Sequence, residues 1–226
     1  MRDELRSIGD ACRAALNEYT MRAFSLLPPI DGMRILDAGC GSGEPALALT
    51  RMSAAHICAI DPDAESCAAM GRKVARDGFA NRVTVMNVDF ASPEIQKNPF
   101  DVVWAEGLFN IIGFEAGLAR AGELLKPGGY LVIHDEISRG EEKKRLWEKH
   151  GYGIVDSFVL PENAWPDYFE CMKTSLSALG ESGRARGDDS LVRAAEDELA
   201  AIEDRMKRPE NLRSVFYILR KRNAHD

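Results

Sequence analysis

The chain has 226 residues, of which 45% are hydrophobic and 29% are charged. This composition supports one sizeable α/β core and is too rich in hydrophobic residues for a disordered chain. The net charge of -7 disfavours broad contact with nucleic acid or with an anionic membrane surface. Because we find neither an apolar run long enough to span a bilayer nor a signal-peptide pattern, we expect no membrane contact and a cytoplasmic location.

The chain begins with a helical pattern over residues 1–27, which ends at Pro28-Pro29. Short apolar strands then alternate with single helices, a pattern typical of βαβ units in a parallel sheet. The strands are predicted at 33–38, 56–60, 83–88, 100–104 and 130–134, and the helices at 45–52, 64–77 and 114–125.

The region after Glu136 is more densely charged. The pattern there predicts helices at 138–150, 165–178 and 191–206, an exposed loop at 181–189, and strands at 153–160 and 214–219. Since no repeat and no long linker divides the chain, we predict a single domain over residues 1–226. Within it we expect an N-terminal helical lid over 1–30 and a variable cap over 138–212.

Five cysteines occur, at Cys12, Cys40, Cys58, Cys67 and Cys171. Their number is odd and no C-x-x-C pair is present, which argues against a disulfide framework or a structural zinc site. We therefore expect all five to be ordinary small buried residues, and we expect no bound metal.

A glycine-rich loop, Asp37-Ala38-Gly39-Cys40-Gly41-Ser42-Gly43, follows the first predicted strand and precedes a helix. Glycines let a ligand approach the main chain, and a helix start offers free N–H groups. A dinucleotide site requires G-x-G-x-x-G, whereas Glu44 occupies the position of the last glycine here. An acidic side chain beside a pyrophosphate is also unfavourable, so the loop disfavours a nicotinamide oxidoreductase.

Carboxylates follow the next two predicted strands. Asp61 can accept hydrogen bonds from both hydroxyls of a ribose, whereas Asp89 can reach an exocyclic amine and Phe90 can pack on adenine. Each carboxylate has a structural alternative, because Asp61 before Pro62 can start a turn and Asp89 can cap the turn near Ser92. Their joint position at successive strand ends favours ligand binding.

Several segments resemble, in order and spacing, those of class I, Rossmann-like S-adenosylmethionine-dependent methyltransferases over about residues 30–136. They are residues 35–43, 59–63, 87–90, 100–107 and 124–131, of which the last contains the Lys126-Pro127-Gly128-Gly129 turn that is a hallmark of the family. The resemblance implies an α/β three-layer sandwich around a seven-stranded, mostly parallel sheet whose last strand is antiparallel.

The resemblance also implies a function. The chain is expected to bind S-adenosylmethionine, to release S-adenosylhomocysteine, and to methylate a small-molecule acceptor by in-line displacement. The implied cofactor-binding residues are Asp37, Gly39, Cys40, Gly41 and Gly43 for the methionine part, Asp61 and Pro62 for the ribose, Asp89 and Phe90 for the adenine, and Glu106 for the methionine end or the acceptor. No nucleic-acid or membrane partner is expected, and a homodimer remains open.

Two residues are candidates for catalysis. Glu106 follows the fourth predicted strand and faces the expected site, although a carboxylate there can instead cap the next helix. His134 follows the fifth strand, where it can act as a general base or serve as a hydrogen-bonded residue of the rim. Adjacent residues on a strand point in opposite directions, so His134, Asp135 and Glu136 do not form a metal site.

Three other functions remain open. An RNA or protein methyltransferase is disfavoured, since the sequence has neither an Asn-Pro-Pro-Tyr-type motif nor a basic domain. A cofactor-binding protein without catalysis is disfavoured by the intact loop and ribose residues, and an oxidoreductase by the loop spacing. Aromatic residues are candidates either for an acceptor pocket or for core packing, and they are Tyr19, Phe24, Trp165, Tyr168 and Phe169.

Overall fold

The structure is a computed structural model that describes residues 2–95, 100–208 and 212–223. Two compact units are present. One comprises Met1–Glu18 and Leu160–Arg213 and is called the helical unit; the other comprises Tyr19–Val159 and Ser214–Asp226 and is called the sheet unit. These boundaries differ from the lid and cap limits expected from the sequence, and the single-domain organisation stays a prediction.

The sheet unit is built around a seven-stranded sheet. Its strands are β1 (Arg34–Ala38), β2 (His56–Ile60), β3 (Val83–Met86), β4 (Phe100–Glu106), β5 (Leu125–Glu136), β6 (Tyr152–Val159) and β7 (Ser214–Lys221). The strand order is β3-β2-β1-β4-β5-β7-β6. Strands β1 to β5 pair in parallel, whereas β7 runs antiparallel to both β5 and β6. This architecture confirms the predicted Rossmann-like sheet with an antiparallel last strand.

Helices flank the sheet and form the second unit. The helices α2 (Asn17–Ser25), α3 (Glu44–Met52), α4 (Ala64–Arg76), α5 (Phe109–Ile112), α6 (Phe114–Leu124) and α7 (Gly140–Lys149) accompany the sheet, and α1 (Arg2–Arg13), α8 (Ala164–Arg186) and α9 (Asp189–Met206) form the helical unit. The helix predicted over 1–27 is interrupted by a 3-10 turn at Ala14–Leu16. None of the helices in the described residues is both long and apolar enough to cross a bilayer.

The core of the sheet unit explains why its strands are short and apolar. Ile35 and Leu36 of β1 and Val103 of β4 are fully buried. Strands of a parallel sheet that is covered on both faces lose water contact along their whole length, so they consist largely of apolar residues. The charged side chains of β1, Arg34 and Asp37, therefore lie at or near its two ends.

The predicted Lys-Pro-Gly-Gly turn lies inside β5. Phe100 pairs with Leu125 and Val102 pairs with Tyr130, so a short step along β4 faces a much longer step along β5. Gly128 has a φ of +73°, a conformation that glycine adopts without the steric penalty of a Cβ atom. The segment therefore makes a local excursion within a continuous strand.

The loop predicted over residues 181–189 is wrong for most of its length, because α8 continues to Arg186. The glycines that suggested a loop permit close helix packing instead. A Cβ atom on Gly183 would lie 3.0 Å from the side chain of Val192 on α9. Gly187, with a φ of +67°, ends α8 and leaves only a tight connection to α9.

The expectation that all five cysteines are unpaired buried residues is wrong for Cys12 and Cys171. These two form a disulfide that joins α1 to α8 within the helical unit. Cys40, Cys58 and Cys67 are free, and each is buried or half-buried as expected. The paired cysteines are 159 residues apart, so no local motif could identify them.

Reduction of the Cys12–Cys171 disulfide should lower the free energy of unfolding by about 2–5 kcal/mol, because a cross-link between distant positions restricts the unfolded chain. Thermal unfolding with and without a reductant measures the loss. The double variant Cys12→Ser/Cys171→Ser should not respond to the reductant, whereas the control Cys58→Ser should respond like the wild type. Titration of the denatured, unreduced chain should detect the three free thiols; detection of all five cysteines as thiols would contradict the disulfide.

Candidate functional site

The strand order creates a switch point beside β1. The chain proceeds from β1 outward to β2 and β3, and then returns to place β4 on the other side of β1. The register aligns Asp37 of β1 with Ala59 of β2 and with Trp104 of β4. Open parallel sheets bind ligands at the carboxyl ends of the strands where the order reverses. The cofactor-binding residues predicted from the sequence lie in or after β1 to β4. They run from Asp37 to Glu106 and are called the switch-point site below.

Two glycines of the loop are required by packing as well as by conformation. Gly39 and Gly43 have φ values of +72° and +90°. An added Cβ atom would lie 3.2 Å from the side chain of Leu108 at Gly39 and 2.6 Å from that of Met70 at Gly43. Both glycines therefore allow the loop to lie close to the rest of the sheet unit.

Gly41 has a different environment. Its φ is +52°, and an added Cβ atom would meet no described atom within 4 Å. Its N–H donates to Oδ2 of Asp61 over 2.9 Å, which ties the loop to the end of β2. Gly41 is thus the loop glycine that leaves space for a ligand over the main chain.

Asp61 serves both as a turn residue and as a group facing the site. Its Oδ1 accepts the N–H of Asp63 over 2.8 Å, so the turn considered from the sequence is present. Each carboxylate oxygen has two lone pairs, and the side chain is only half-buried. Asp61 therefore retains acceptor capacity toward a ligand. The neighbouring Pro62 is exposed.

Because its thiol is buried, Cys40 would contact a ligand through its main chain. The residue is 5% exposed, and burial, together with the charges of Asp37 and Asp61, raises the pKa of the thiol far above its usual range. The thiol therefore stays protonated at physiological pH. Asp37 itself is 2% exposed, so the end of β1 holds a deeply buried carboxyl group.

Asp89 and Phe90 lie in the connection after β3, which ends at Met86 and not at residue 88 as expected. Asp89 is exposed, and its Oδ1 accepts the N–H of Ala91 over 2.7 Å, which is the turn-capping alternative. Phe90 is 4% exposed, and its ring centroid lies 6.5 Å from that of Phe109. This burial favours a core role for the Phe90 ring, and its contact with adenine stays a prediction.

Glu106 is a buried carboxylate at the end of β4, with a side chain that is 6% exposed. Its Oε1 accepts hydrogen bonds from Thr20 Oγ1 of α2 and from Trp104 Nε1, each over 2.8 Å. Helix α5 begins without a side-chain cap, so the capping role considered for Glu106 is not observed. The carboxylate instead holds α2 against the end of β4.

His134 lies next to Glu106. Its Nδ1 is 3.7 Å from Glu106 Oε2, its Nε2 is 2.8 Å from Ser214 Oγ, and its ring stacks on Phe216. The histidine is 5% exposed, and both ring nitrogens face protein groups. This geometry favours an orienting role over direct proton transfer to an acceptor, and catalysis by His134 stays a prediction.

The structure adds residues that sequence reasoning missed. Thr20 and Ser214 are both buried and bind the two catalytic candidates. Each lies far from its partner in the chain, within an otherwise ordinary helix or strand, so no local pattern pointed to it. Together with Trp104, Glu106 and His134, they form what is called the polar cluster below.

The residues after His134 take a separate role. Asp135 pairs with Lys143 over 3.0 Å, and both side chains are buried. This agrees with the expectation that neighbouring strand residues point in opposite directions. Residues 2–95, 100–208 and 212–223 contain no cluster of histidine, cysteine or acidic groups that could hold a metal ion. The absence of a bound metal stays a prediction.

The structure weakens one argument made against a dinucleotide. Glu44 pairs with Lys73 over 2.6 Å, and Lys73 also donates to the carbonyl of Ser42. The charge of Glu44 is therefore largely offset, and it repels an anionic ligand less than its sequence position suggested. The loop spacing remains the stronger argument.

The aromatic candidates separate into two groups. Phe24 of α2 lies 6.5 Å from the ring of Trp104, close to the polar cluster. Trp165, Tyr168 and Phe169 instead pack against one another in the core of the helical unit. The second group therefore has a packing role.

Replacement of Glu106 by alanine should lower the free energy of unfolding by about 3 kcal/mol, because Thr20 and Trp104 lose a buried charged acceptor. Glu106→Gln keeps one acceptor oxygen and should cost about 1 kcal/mol. Urea denaturation measures both, and the indole N–H signal of Trp104 reports the lost hydrogen bond. Glu115→Ala, which removes a surface carboxylate, should change stability by about 0.5 kcal/mol or less; an equal loss in the two alanine variants would contradict the role of Glu106.

Known proteins share parts of this sequence. Residues 35–129 match the family model of a methyltransferase domain. The chain is 27% identical over 138 residues to a sterol 24-C-methyltransferase of Gibberella zeae, covering 57% of this chain and 36% of that protein. It is 33% identical over 134 residues to a ubiquinone/menaquinone biosynthesis C-methyltransferase of Geobacter sulfurreducens, covering 58% of this chain and 51% of that protein. The chain therefore matches about a third to a half of the length of these relatives.

The fold is shared more widely than the sequence. The crystal structure of a [4+2]-cyclase superposes with a TM-score of 0.76 at 22% identity, covering 92% of this chain and 81% of that one. At this level of identity the likeness establishes the architecture alone. The family match contains the glycine loop, Asp61, Asp89 and Glu106. Residues 35–129 are therefore similar to a methyltransferase domain, and the order of the sheet agrees with the Rossmann-like architecture expected from the sequence.

Proposed function

We propose that this chain binds S-adenosylmethionine at the switch-point site and transfers its methyl group to a small-molecule acceptor. The observation that carries the proposal is the hydrogen bond from Gly41 to Asp61. It places the open main chain of the loop beside a carboxylate with remaining acceptor capacity. A ligand with a polar head for the loop and a ribose for the carboxylate suits this arrangement.

The charge of the site supports this cofactor over a dinucleotide. Asp37 lies in β1 and Glu106 ends β4, whereas Asp61 and Asp89 follow β2 and β3. S-adenosylmethionine carries a cationic sulfonium and an ammonium group, which acidic surroundings attract. The pyrophosphate of a dinucleotide is anionic and is disfavoured by the same carboxylates.

Each part of the site has an assigned role. Asp37 and the loop from Gly39 to Gly43 would hold the methionine part, Asp61 the ribose and Asp89 the adenine. When bound, the cofactor supplies a methyl group on a positively charged sulfur. The leaving group of an in-line displacement at that methyl is neutral, so the protein needs to align the reactants and exclude water rather than stabilise an oxyanion.

The polar cluster is proposed to position these elements. Glu106 holds α2 to the end of β4, and it lies beside the ring of His134, which is also fixed by Ser214 and Phe216. A general base is required only when the acceptor must lose a proton. Because both nitrogens of His134 are engaged within the protein, we assign the pair to positioning.

A small-molecule acceptor is supported by the relatives and by charge. One relative is named a sterol 24-C-methyltransferase and the other a C-methyltransferase of ubiquinone/menaquinone biosynthesis, and both names support a small-molecule acceptor. The net charge of -7 disfavours a nucleic-acid substrate. The competing hypothesis is a protein that binds S-adenosylmethionine without transferring its methyl group.

Calorimetry should show binding of S-adenosylmethionine and S-adenosylhomocysteine and no binding of NAD. Asp61→Asn should weaken cofactor affinity by at least about fivefold, equivalent to about 1 kcal/mol, through weaker hydrogen bonds to the ribose. Asp63→Asn is the matched control, since Asp63 caps α4 and asparagine is an equally good cap. Binding of NAD alone would overturn the cofactor assignment, and unchanged affinity in Asp61→Asn would remove Asp61 from the site.

Incubation with methyl-labelled cofactor should transfer label to a small molecule in a metabolite extract. Gly41→Ala should abolish most of this transfer, because the added methyl group occupies the ligand space. Gly78→Ala is the matched control, since Gly78 also has a positive φ and an open Cβ position but lies after α4. Label in RNA or protein alone would overturn the small-molecule acceptor, and binding without any transfer would favour the non-catalytic alternative.

A further inference from the structure

The amino ends of β1, β2 and β3 border a polar cleft, at the opposite end of these strands from the switch-point site. Its volume is about 430 Å³, which lies within the usual range for small-molecule sites. The cleft is called the strand-start cleft below. Residues that line it include Arg34, His56, Cys58, Arg82, Thr84 and Phe100.

The sheet register explains why these side chains converge. Arg34 is aligned with His56, and Cys58 is aligned with Thr84. Residues aligned on neighbouring strands share a face, as do residues two apart on one strand, so all four project from the same side. Arg82 immediately precedes β3 and is two residues from Thr84, which brings it to this face as well.

The connection from β3 to β4 differs from a helical crossover in the part that the structure describes. Two parallel strands are usually joined by a helix that covers one face of the sheet. The described part of the connection between β3 and β4, residues 87–95, consists of turns and contains no helix. At or near the start of β1 to β3, Arg34, His56 and Thr84 are exposed.

The cleft is cationic, although the chain is acidic overall. The guanidinium of Arg34 lies over the ring of Phe100, and Arg82 donates to the carbonyl of Ser53. Within residues 2–95, 100–208 and 212–223, no carboxylate forms an ion pair with either arginine. The nearby acid Asp101 instead accepts the main-chain N–H of Arg34 and pairs with Lys126.

We propose that the strand-start cleft binds a small molecule that bears a phosphoryl group. Arginine forks match the geometry of phosphate oxygens, and hydrogen bonds between charged partners are the strong ones. Thr84 and Asn81 add a hydroxyl and an amide donor at the same cleft. The cleft is larger than a bare phosphate needs, so the phosphoryl group belongs to a larger molecule.

The proposed ligand does not compete with the cofactor. Arg34 begins β1 and Asp37 lies near its end, so about 10 Å of fully buried strand separates the cleft from the switch-point site. The proposal therefore stands independently of methyl transfer.

Pyrophosphate is the probe for this site, titrated into the full chain by calorimetry. We expect saturable binding that persists in excess S-adenosylhomocysteine. The double variant Arg34→Gln/Arg82→Gln should reduce affinity at least tenfold. Lys144→Gln/Arg145→Gln is the matched control, because it removes the same charge from exposed positions of α7 and should retain affinity within about twofold.

A second variant distinguishes a loss of binding from misfolding of the double variant. Thr84→Glu keeps both arginines and adds a carboxylate to an exposed position of the cleft, so it should also reduce affinity at least tenfold. Three results would overturn the proposal: no saturable binding to the wild type, an equal loss in the Lys144/Arg145 control, or displacement of pyrophosphate by S-adenosylhomocysteine. The last result would place the anion in the switch-point site.

Discussion

A strand that is buried on both faces can carry charged side chains only where it begins or ends, since an unpaired charge in the core is very costly. In β1, the apolar run between Arg34 and Asp37 is fully buried. The same division recurs in its neighbours, because His56 begins β2 and Asp61 follows its end. Strand β1 therefore has a basic side chain at its amino end and an acidic side chain near its carboxyl end.

Because of this charge distribution, the two ends of the strands would attract different ligands. At the carboxyl ends, the order of the strands reverses beside β1, and the glycine loop brings main-chain groups next to Asp61. At the amino ends, Arg34 and Arg82 line the strand-start cleft. The proposed cationic cofactor and the proposed anionic ligand would therefore be attracted to opposite ends of the same strands, separated by a close-packed core.

The polar cluster is the principal exception to the apolar interior. Glu106 is buried with Thr20 and Trp104 as donors and His134 nearby, so its charge is compensated within the protein. A buried polar network specifies one arrangement of its members, because loss of any partner leaves another unsatisfied. The cluster thereby fixes α2 relative to the ends of β4, β5 and β7, where the proposed acceptor would be held.

Much of the fold was accessible from the sequence. The short apolar strands that alternate with helices predicted a parallel sheet, because this pattern depends on local periodicity. The antiparallel β7 was implied by the family resemblance. The same local patterns placed Asp61 and Asp89 at successive strand ends. They failed at residues 181–189, where Gly183 serves packing against Val192 rather than a loop.

Contacts between distant residues were decided only by the tertiary structure. The Cys12–Cys171 disulfide, the bond from Thr20 to Glu106 and the burial of Phe90 each depend on how separate elements pack. By itself, the sequence determined the fold class and predicted the positions that would face a cofactor, since the strand pattern, the glycine loop and the strand-end carboxylates are local features. The tertiary structure decided which of those side chains are buried, which are paired and which remain open to a ligand, because packing in three dimensions governs desolvation and hydrogen bonding.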